Sequence, residues 1–371
     1  MTIPKSSPSS EITIEKTEHL KGIALLLLMF HHLFGVEYLE GWRAIVPGTE
    51  GMDYVIGASG KICIAMFLFC SGYGIYKSYI SKETPKKHYI LQRLIKTLVP
   101  YWIVMVIAIV YLACVGRFEP KNLFFNLFAL IHSDDILYVS FSWFIKLYVL
   151  LILLLPLIRL IERRFKMNAL VDILIYVVVP YVIAFICRGF IHEESFENIF
   201  SFVGSSVLFV LGWFPLFAVG MLFAKYNTYK KVFDFASKFP SALVIALSAL
   251  LIGNMLYLRF IFNTFVGDSV IYHFCMGDIV FEPIFVCGFL LIMDNIKRKS
   301  RYVLPFIGKN SVFYWLLSGM FFLNTKELAF LITWPKITLL IYLWTMVLLT
   351  PIVFLTSFAS DRFTKLLCKR L

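Results

Sequence analysis

Charge is scarce in this chain of 371 residues. Only 16% of them are Asp, Glu, Lys or Arg, against 60% hydrophobic, with 38 Phe. A soluble chain of this size cannot hide that much apolar surface, so composition excludes an ordinary soluble domain. Paired cysteines are missing as well. The seven Cys are scattered, mostly inside apolar segments, and none forms a CxxC pair. That excludes a disulfide framework and metal-ligand spacing, and no metal site is expected. Cys63, Cys70, Cys114, Cys187, Cys275 and Cys287 read as small packing residues. No internal repeat is visible, which argues against a transporter built from duplicated halves. There is no nucleic-acid module either, so the net charge of +12 needs another explanation.

What is there is a series of long apolar runs. About ten have the length of a membrane span, at roughly 20–36, 60–79, 92–115, 142–160, 169–188, 202–225, 240–259, 270–293, 303–323 and 336–358. Several contain Pro or Gly, which membrane helices tolerate when neighbours satisfy the freed backbone. The expected fold is an all-α polytopic integral membrane protein with about ten transmembrane helices. Residues 1–19 are polar, with Pro4, Pro8 and a Ser cluster, and read as a flexible tail. The first apolar run lacks a small-residue cleavage site and is expected to stay as a signal anchor. Residues 20–360 form the membrane domain, and 361–371 a basic tail.

Loop charge accounts for the basic balance. Lys77, Lys82, Lys86 and Lys87 mark the second connection, Arg159, Arg163, Arg164 and Lys166 the fourth, and Lys225, Lys230, Lys231 and Lys238 the sixth. The connections between them are acidic or neutral, as with Glu37, Glu40, Glu50 and Asp53, then Asp134 and Asp135, then Glu193, Glu194 and Glu197. The positive-inside rule then places both termini in the cytoplasm of a multi-pass plasma-membrane protein.

Against this background a few ionisable residues inside the spans stand out, because such groups are costly in lipid and face polar cavities. In KGIALLLLMFHHLFG, Lys21 and His32 are 11 residues apart. At 3.6 residues per turn that is about three turns plus roughly 20°, so they share a face some ~16 Å apart along the axis. His31 lies about 100° round the helix and is expected to point elsewhere. Arg93 and Lys96 open the third span in YILQRLIKTLVPYW. In GDIVFEP, Asp278 and Glu282 share a face at i, i+4 spacing, with Glu282 near the midplane. The expectation is a buried polar chamber with cations at its mouth, suited to a phosphate-bearing ligand. Each residue also has a plainer reading. Lys21, Arg93 and Lys96 can be snorkelling anchors, as can Lys61 and Lys146 at the outer ends of their spans. His31 can be packing, and Asp278 and Glu282 a structural pair with a neighbouring cation.

The order of segments resembles the membrane acyltransferase-3 family. KGIALLLLMFHHLF is similar to its first-helix motif, a basic residue and a His with ten residues between them, which Lys21 and His32 match. KICIAMFLFCSGYGIYKSY, with Ser71, Gly72 and Tyr73, resembles its second helix. QRLIKTLVPYW resembles its basic stretch before Pro-Tyr-Trp, WFPLFAVGMLFAKY a mid-chain segment, and IGKNSVFYWLLSG its ninth-helix motif. The resemblance covers nearly the whole chain. Three positions depart from the pattern: Lys21 stands where Arg is usual, the helix-3 stretch has fewer Arg, and Ser318 stands where the ninth-helix motif ends in His.

The resemblance implies transfer of an acyl group, commonly acetyl, from cytoplasmic acyl-CoA to a sugar hydroxyl of an envelope glycan or glycolipid. His32 carries over as the essential base, Lys21 as its basic partner, and Arg93 with Lys96 as the helix-3 site. His31 and Glu282 complete the candidate catalytic set; Ser71, Tyr73, Asp278 and Trp143 the substrate-binding set. The donor is a substrate, and no bound cofactor is expected. The expected surroundings are the lipid bilayer and polysaccharide-synthesis machinery. Some relatives carry a further soluble domain after the last span; here transfer is expected within the membrane domain or with a partner. The rival expectations are a non-catalytic glycan transporter or flippase, and a structural partner of a polysaccharide synthase.

Overall fold

The computed structural model describes residues 11–35, 57–130, 137–165, 167–187, 199–266, 277–296, 302–321 and 329–369. Every regular element among them is a helix. Helix α1 spans Ile14–Phe34. It begins inside the stretch read as tail, because the Thr13 side chain accepts from Lys16 N at 3.3 Å and caps the first turn. Helices α2 (Cys63–Ile75), α3 (Tyr89–Cys114), α4 (Leu123–Leu127) and α5 (Trp143–Arg164) follow. Next come α6 (Ala169–Ile173) and α7 (Val179–Cys187), joined by a wider turn into one rod. Then come α8 (Ile199–Tyr226), α9 (Thr228–Ala236), α10 (Ser241–Val266), α11 (Asp278–Asn295), α12 (Val303–Lys309), α13 (Ser311–Gly319), α14 (Ala329–Thr333) and α15 (Thr338–Lys369).

Seven rods among the described residues are long and apolar enough to cross a membrane: Gly57–Ile80, Tyr89–Cys114, Trp143–Arg164, Ala169–Cys187, Phe202–Tyr226, Ser241–Phe262 and Thr338–Lys369. The other three expected spans coincide with α1, with α11 and with α12 plus α13. Helices α1 and α11 each carry several charges, and the α12–α13 rod breaks at Asn310. The acidic loop residues from Glu37 to Asp53, Asp134, Asp135 and Glu193 to Glu197 lie outside the described residues.

Burial sorts the rods into a centre and a rim. About two thirds of the Phe202–Tyr226 segment is buried within the protein, against 17% of Ser241–Phe262. Leu243, Leu247, Leu250 and Tyr257 on α10, and Leu339, Leu343, Val347 and Phe354 on α15, face outward as an apolar rim. Such a surface is stable only against lipid. At the centre, α2 packs on α8, and α1 on α2, α12 and α13. The α1–α12 crossing depends on small residues. A methyl group at Gly308 would collide with the Glu18 carbonyl oxygen, and one at Gly22 with the Leu304 carbonyl oxygen. This close approach sets Lys309 beside the first turns of α1.

Ion pairs tie the helices together away from the centre. Lys16 on α1 meets Asp294 on α11 at 2.6 Å, and Tyr229 on α9 donates to the same carboxylate at 2.6 Å. Burial and that carboxylate hold the Tyr229 phenol above its ordinary pKa, so it remains a donor. Lys225 on α8 bridges Glu162 on α5 and Asp172 on α6 at 2.8 and 2.6 Å.

Candidate functional site

A cavity of about 860 Å³ runs along α1. One end is lined by Thr17, Glu18 and Lys21 from α1, Ser78, Arg93 and Lys96, and Gly308 and Lys309 from α12. The other end is lined by His31 and His32 from α1, Lys61, Phe141, Trp143 and Trp213. Lys21 and His32 therefore share one continuous space, as three helical turns dictate, with about 16 Å between their levels.

The basic end has a consistent construction. Tyr148 on α5 accepts a hydrogen bond from Arg93 Nη2 at 2.9 Å, which aims the guanidinium. Ser71 also lines the wall, with its hydroxyl donating to Phe67 O one turn back at 2.8 Å. Lys21, Lys96 and Lys309 make no ion pair with a carboxylate among the described residues, and Glu18 is the acidic side chain on this wall. Cations that the protein leaves unneutralised in a concave, partly apolar space favour an anionic ligand.

At the other end, His32 is buried and stacks on Phe141 with ring centroids 4.0 Å apart. Its Nδ1 is enclosed and without a hydrogen-bond partner among the described residues. His31 also reaches the cavity, although helical geometry predicts divergence. Its Nδ1 lies 2.9 Å from the Gly57 carbonyl oxygen, an interaction that holds the ring against the start of the Gly57–Ile80 rod. An aromatic wall continues from there. Trp143 lies 5.3 Å from Trp213 between ring centroids, and Phe144 packs edge-on against Trp315 at 5.4 Å.

The structure thus brings Lys21, His31, His32, Ser71, Arg93, Lys96 and Trp143 onto one wall. It places three other expected residues off it. Asp278 is engaged by Arg259 on α10, whose Nε and Nη2 lie 2.5 and 2.8 Å from its carboxylate oxygens; the partner cation occupies the group that was expected to meet substrate. Glu282 follows one turn along α11 and is fully buried, with neither carboxylate oxygen partnered among the described residues. Tyr73 is buried and is not among the residues lining the cavity. The i, i+4 spacing did put Asp278 and Glu282 on one face, but that face turns into the bundle. Lys61 and Lys146 also differ from snorkelling anchors: Lys61 lines the cavity, and Lys146 is buried with its ammonium 4.9 Å from the Phe202 ring centre.

Two wall residues carry no sequence signal of their own: Phe141 and Tyr148 are aromatics in a chain rich in them. Trp213 and Trp315 fall within family-like segments that do not single them out. Lys309 sits within IGKNSVFYW, but only the α1–α12 crossing shows that it joins the basic end.

A multi-pass helical membrane protein with cations and a buried histidine on one cavity wall fits the chemistry of a membrane-embedded group-transfer enzyme. The family model for an acyltransferase domain, that of the acyltransferase-3 family, matches residues 15–361, and the chain belongs to this family. It is accordingly a membrane acyltransferase. No curated protein and no solved structure matches the chain.

Proposed function

We propose that the protein moves an acyl group, acetyl by preference, from acyl-CoA to a sugar hydroxyl of a glycan or glycolipid. The observation that carries this reading is the continuity of the cavity from Lys21, Arg93 and Lys96 to His32. The CoA phosphates bind at the basic end, with Arg93 as the bidentate contact and Lys21, Lys96 and Lys309 as point charges. The pantetheine arm follows the cavity, and the thioester arrives near His32. Neutral His32 takes the proton from the acceptor hydroxyl. The oxygen attacks the thioester carbonyl, the C–S bond breaks, and the proton passes to the departing CoA thiolate. An imidazole nitrogen with a free lone pair can take a proton from a hydroxyl and return it to the leaving group. Trp143 and Ser71 contact substrate in this scheme.

The basic end faces the cytoplasm in this reading, with both termini on that side of the plasma membrane and the acceptor entering from outside beside the machinery that makes it. Lys21 in place of Arg keeps the charge but gives up bidentate binding, which leaves that role to Arg93.

The test is acetyl transfer by the purified protein. Labelled acetyl-CoA with an envelope glycan should yield free CoA and acetylated sugar in equal amounts. Retention of all acetyl-CoA with every glycan offered would count for a transporter. A reporter fused after Leu371 should report the cytoplasm, and a Cys near Glu194 should be labelled from outside; both on one side would remove the orientation.

A further inference from the structure

A histidine base usually has its second nitrogen fixed by a hydrogen bond. His32 is held differently. Its Nδ1 is buried and has no hydrogen-bond partner among the described residues. The ring instead lies flat on Phe141, with centroids 4.0 Å apart and planes 19° from parallel. Phe141 reaches this position with a φ of 65°, in the left-handed region. A bulky side chain adopts that region rarely, and it persists only where the surroundings over-determine it.

Those surroundings converge on the Phe141 turn. A methyl group at Gly319 on α13 would collide with the Ser140 carbonyl oxygen and come within 3.0 Å of Phe141 Cδ2, so glycine leaves the space the turn occupies. From the other side, the buried Asn126 on α4 accepts from Tyr138 N at 3.0 Å and from Tyr101 OH at 3.5 Å. Tyr138 in turn donates its hydroxyl to the Glu119 carbonyl oxygen. A strained residue braced by α13 and by the α3–α5 connection is an expensive way merely to fill space.

We infer that Phe141 is a positioning residue for His32. Its ring covers one face of the imidazole and sets the ring plane, so that the imidazole edge meets the cavity. Phe141 holds no proton and touches no reacting atom. The inference rests on the reading of His32 as the base, and its test has one readout that does not depend on turnover.

The experiment uses the full chain purified in detergent, with Phe141→Leu, Phe141→Tyr and Gly319→Ala. Two quantities are read: steady-state acetyl transfer, and the rate at which diethyl pyrocarbonate modifies His32, followed by mass spectrometry. Phe141→Leu keeps apolar volume but loses the flat face. It should lower kcat by about 10–100-fold, as a small misplacement of a reacting group does, with KM for acetyl-CoA little changed. His32 modification should speed up several-fold. Gly319→Ala leaves the aromatic ring intact but displaces the turn, and it should reproduce both changes. Phe141→Tyr keeps the stack and should keep most of the turnover and the slow labelling.

A Phe141→Leu protein with unchanged kcat and unchanged labelling overturns the inference, as does a rise in KM alone. If wild type transfers no acetyl group, faster labelling in Phe141→Leu and Gly319→Ala, but not in Phe141→Tyr, still supports the positioning while the acyltransfer reading fails. Equal labelling in all the proteins would then overturn it. Where Phe141→Leu does not fold, the other two variants decide by the same criteria.

Discussion

Charge inside the bundle and charge along the cavity are treated differently in this molecule: Arg259, Asp278, Lys16 and Asp172 are buried, Lys21 and Arg93 are half-buried, and Lys96 and Lys309 are exposed to the cavity. Around the helix bundle, Arg259 is matched by Asp278, Lys16 by Asp294, and Lys225 by Glu162 and Asp172. Along the cavity, Arg93 is met by the Tyr148 hydroxyl, and Lys21, Lys96 and Lys309 line the wall without a carboxylate partner among the described residues. Neutralised pairs tie one helix to another and leave little field for a ligand. Unneutralised cations in a concave space do the opposite, since their field is spent only when an anion enters. Asp278 and Arg93 both sit on apolar helices, and they differ in their partners: a guanidinium for the buried Asp278, a hydroxyl for the half-buried Arg93.

The largest effect is expected at His32. His32→Ala should lower acyl transfer by about 10²–10⁴-fold while the protein still accumulates in the membrane, whereas His31→Ala should retain measurable transfer. Glycan acetylation in cells and single-turnover transfer measure both. A dead His31→Ala beside an active His32→Ala would reverse the assignment and break the Lys21–His32 pairing.

The matched pairs come next, as a test of the structural half of the comparison. Asp278→Asn strands the Arg259 guanidinium inside the bundle and should cost about 3–5 kcal/mol of stability. Replacing both partners by apolar residues of similar volume should recover much of that loss. Thermal unfolding in detergent follows it. If Asp278→Asn unfolds like wild type but loses substrate affinity, the pair belongs to the site after all.

On the cavity side, Arg93→Ala should raise KM for the donor more than it lowers kcat, because it removes binding common to the ground and transition states. Arg93→Lys should recover only part of this, since the ammonium cannot make a bidentate phosphate contact. A collapse of kcat at unchanged KM would move Arg93 into the chemistry. The smallest effect is expected at Glu18. Glu18→Gln removes the carboxylate facing the cations and should improve donor binding by about 0.2–1 kcal/mol, the scale of a solvated charge interaction, and less so in high salt. Weaker donor binding instead would show that Glu18 positions the cations.

How much of this was legible in the chain depends on the range of the interaction. Helical membrane architecture follows from composition and from runs of the right length, which are local properties, although charges interrupt the apolar runs of α1 and α11 and the break at Asn310 leaves α12 and α13 short. The shared wall of Lys21 and His32 follows from helical periodicity, and the order of motifs points to the family that matches residues 15–361. Periodicity says which residues share a face and is silent on what that face meets. Asp278 and Glu282 keep their i, i+4 relation, yet Arg259, 19 residues earlier on another helix, decides what Asp278 does. His31 and His32 are neighbours in the chain, and the Gly57 carbonyl and the Phe141 ring give them different surroundings. Lys309 becomes a cavity residue only because Gly22 and Gly308 let two helices touch. The sequence by itself thus determined an all-helical membrane protein, the periodic faces and the family, with seven of the ten expected spans long and apolar enough to cross a membrane among the described residues. Tertiary structure alone decided which charges are neutralised, because a counter-ion acts within a few ångströms in space and can come from anywhere along the chain.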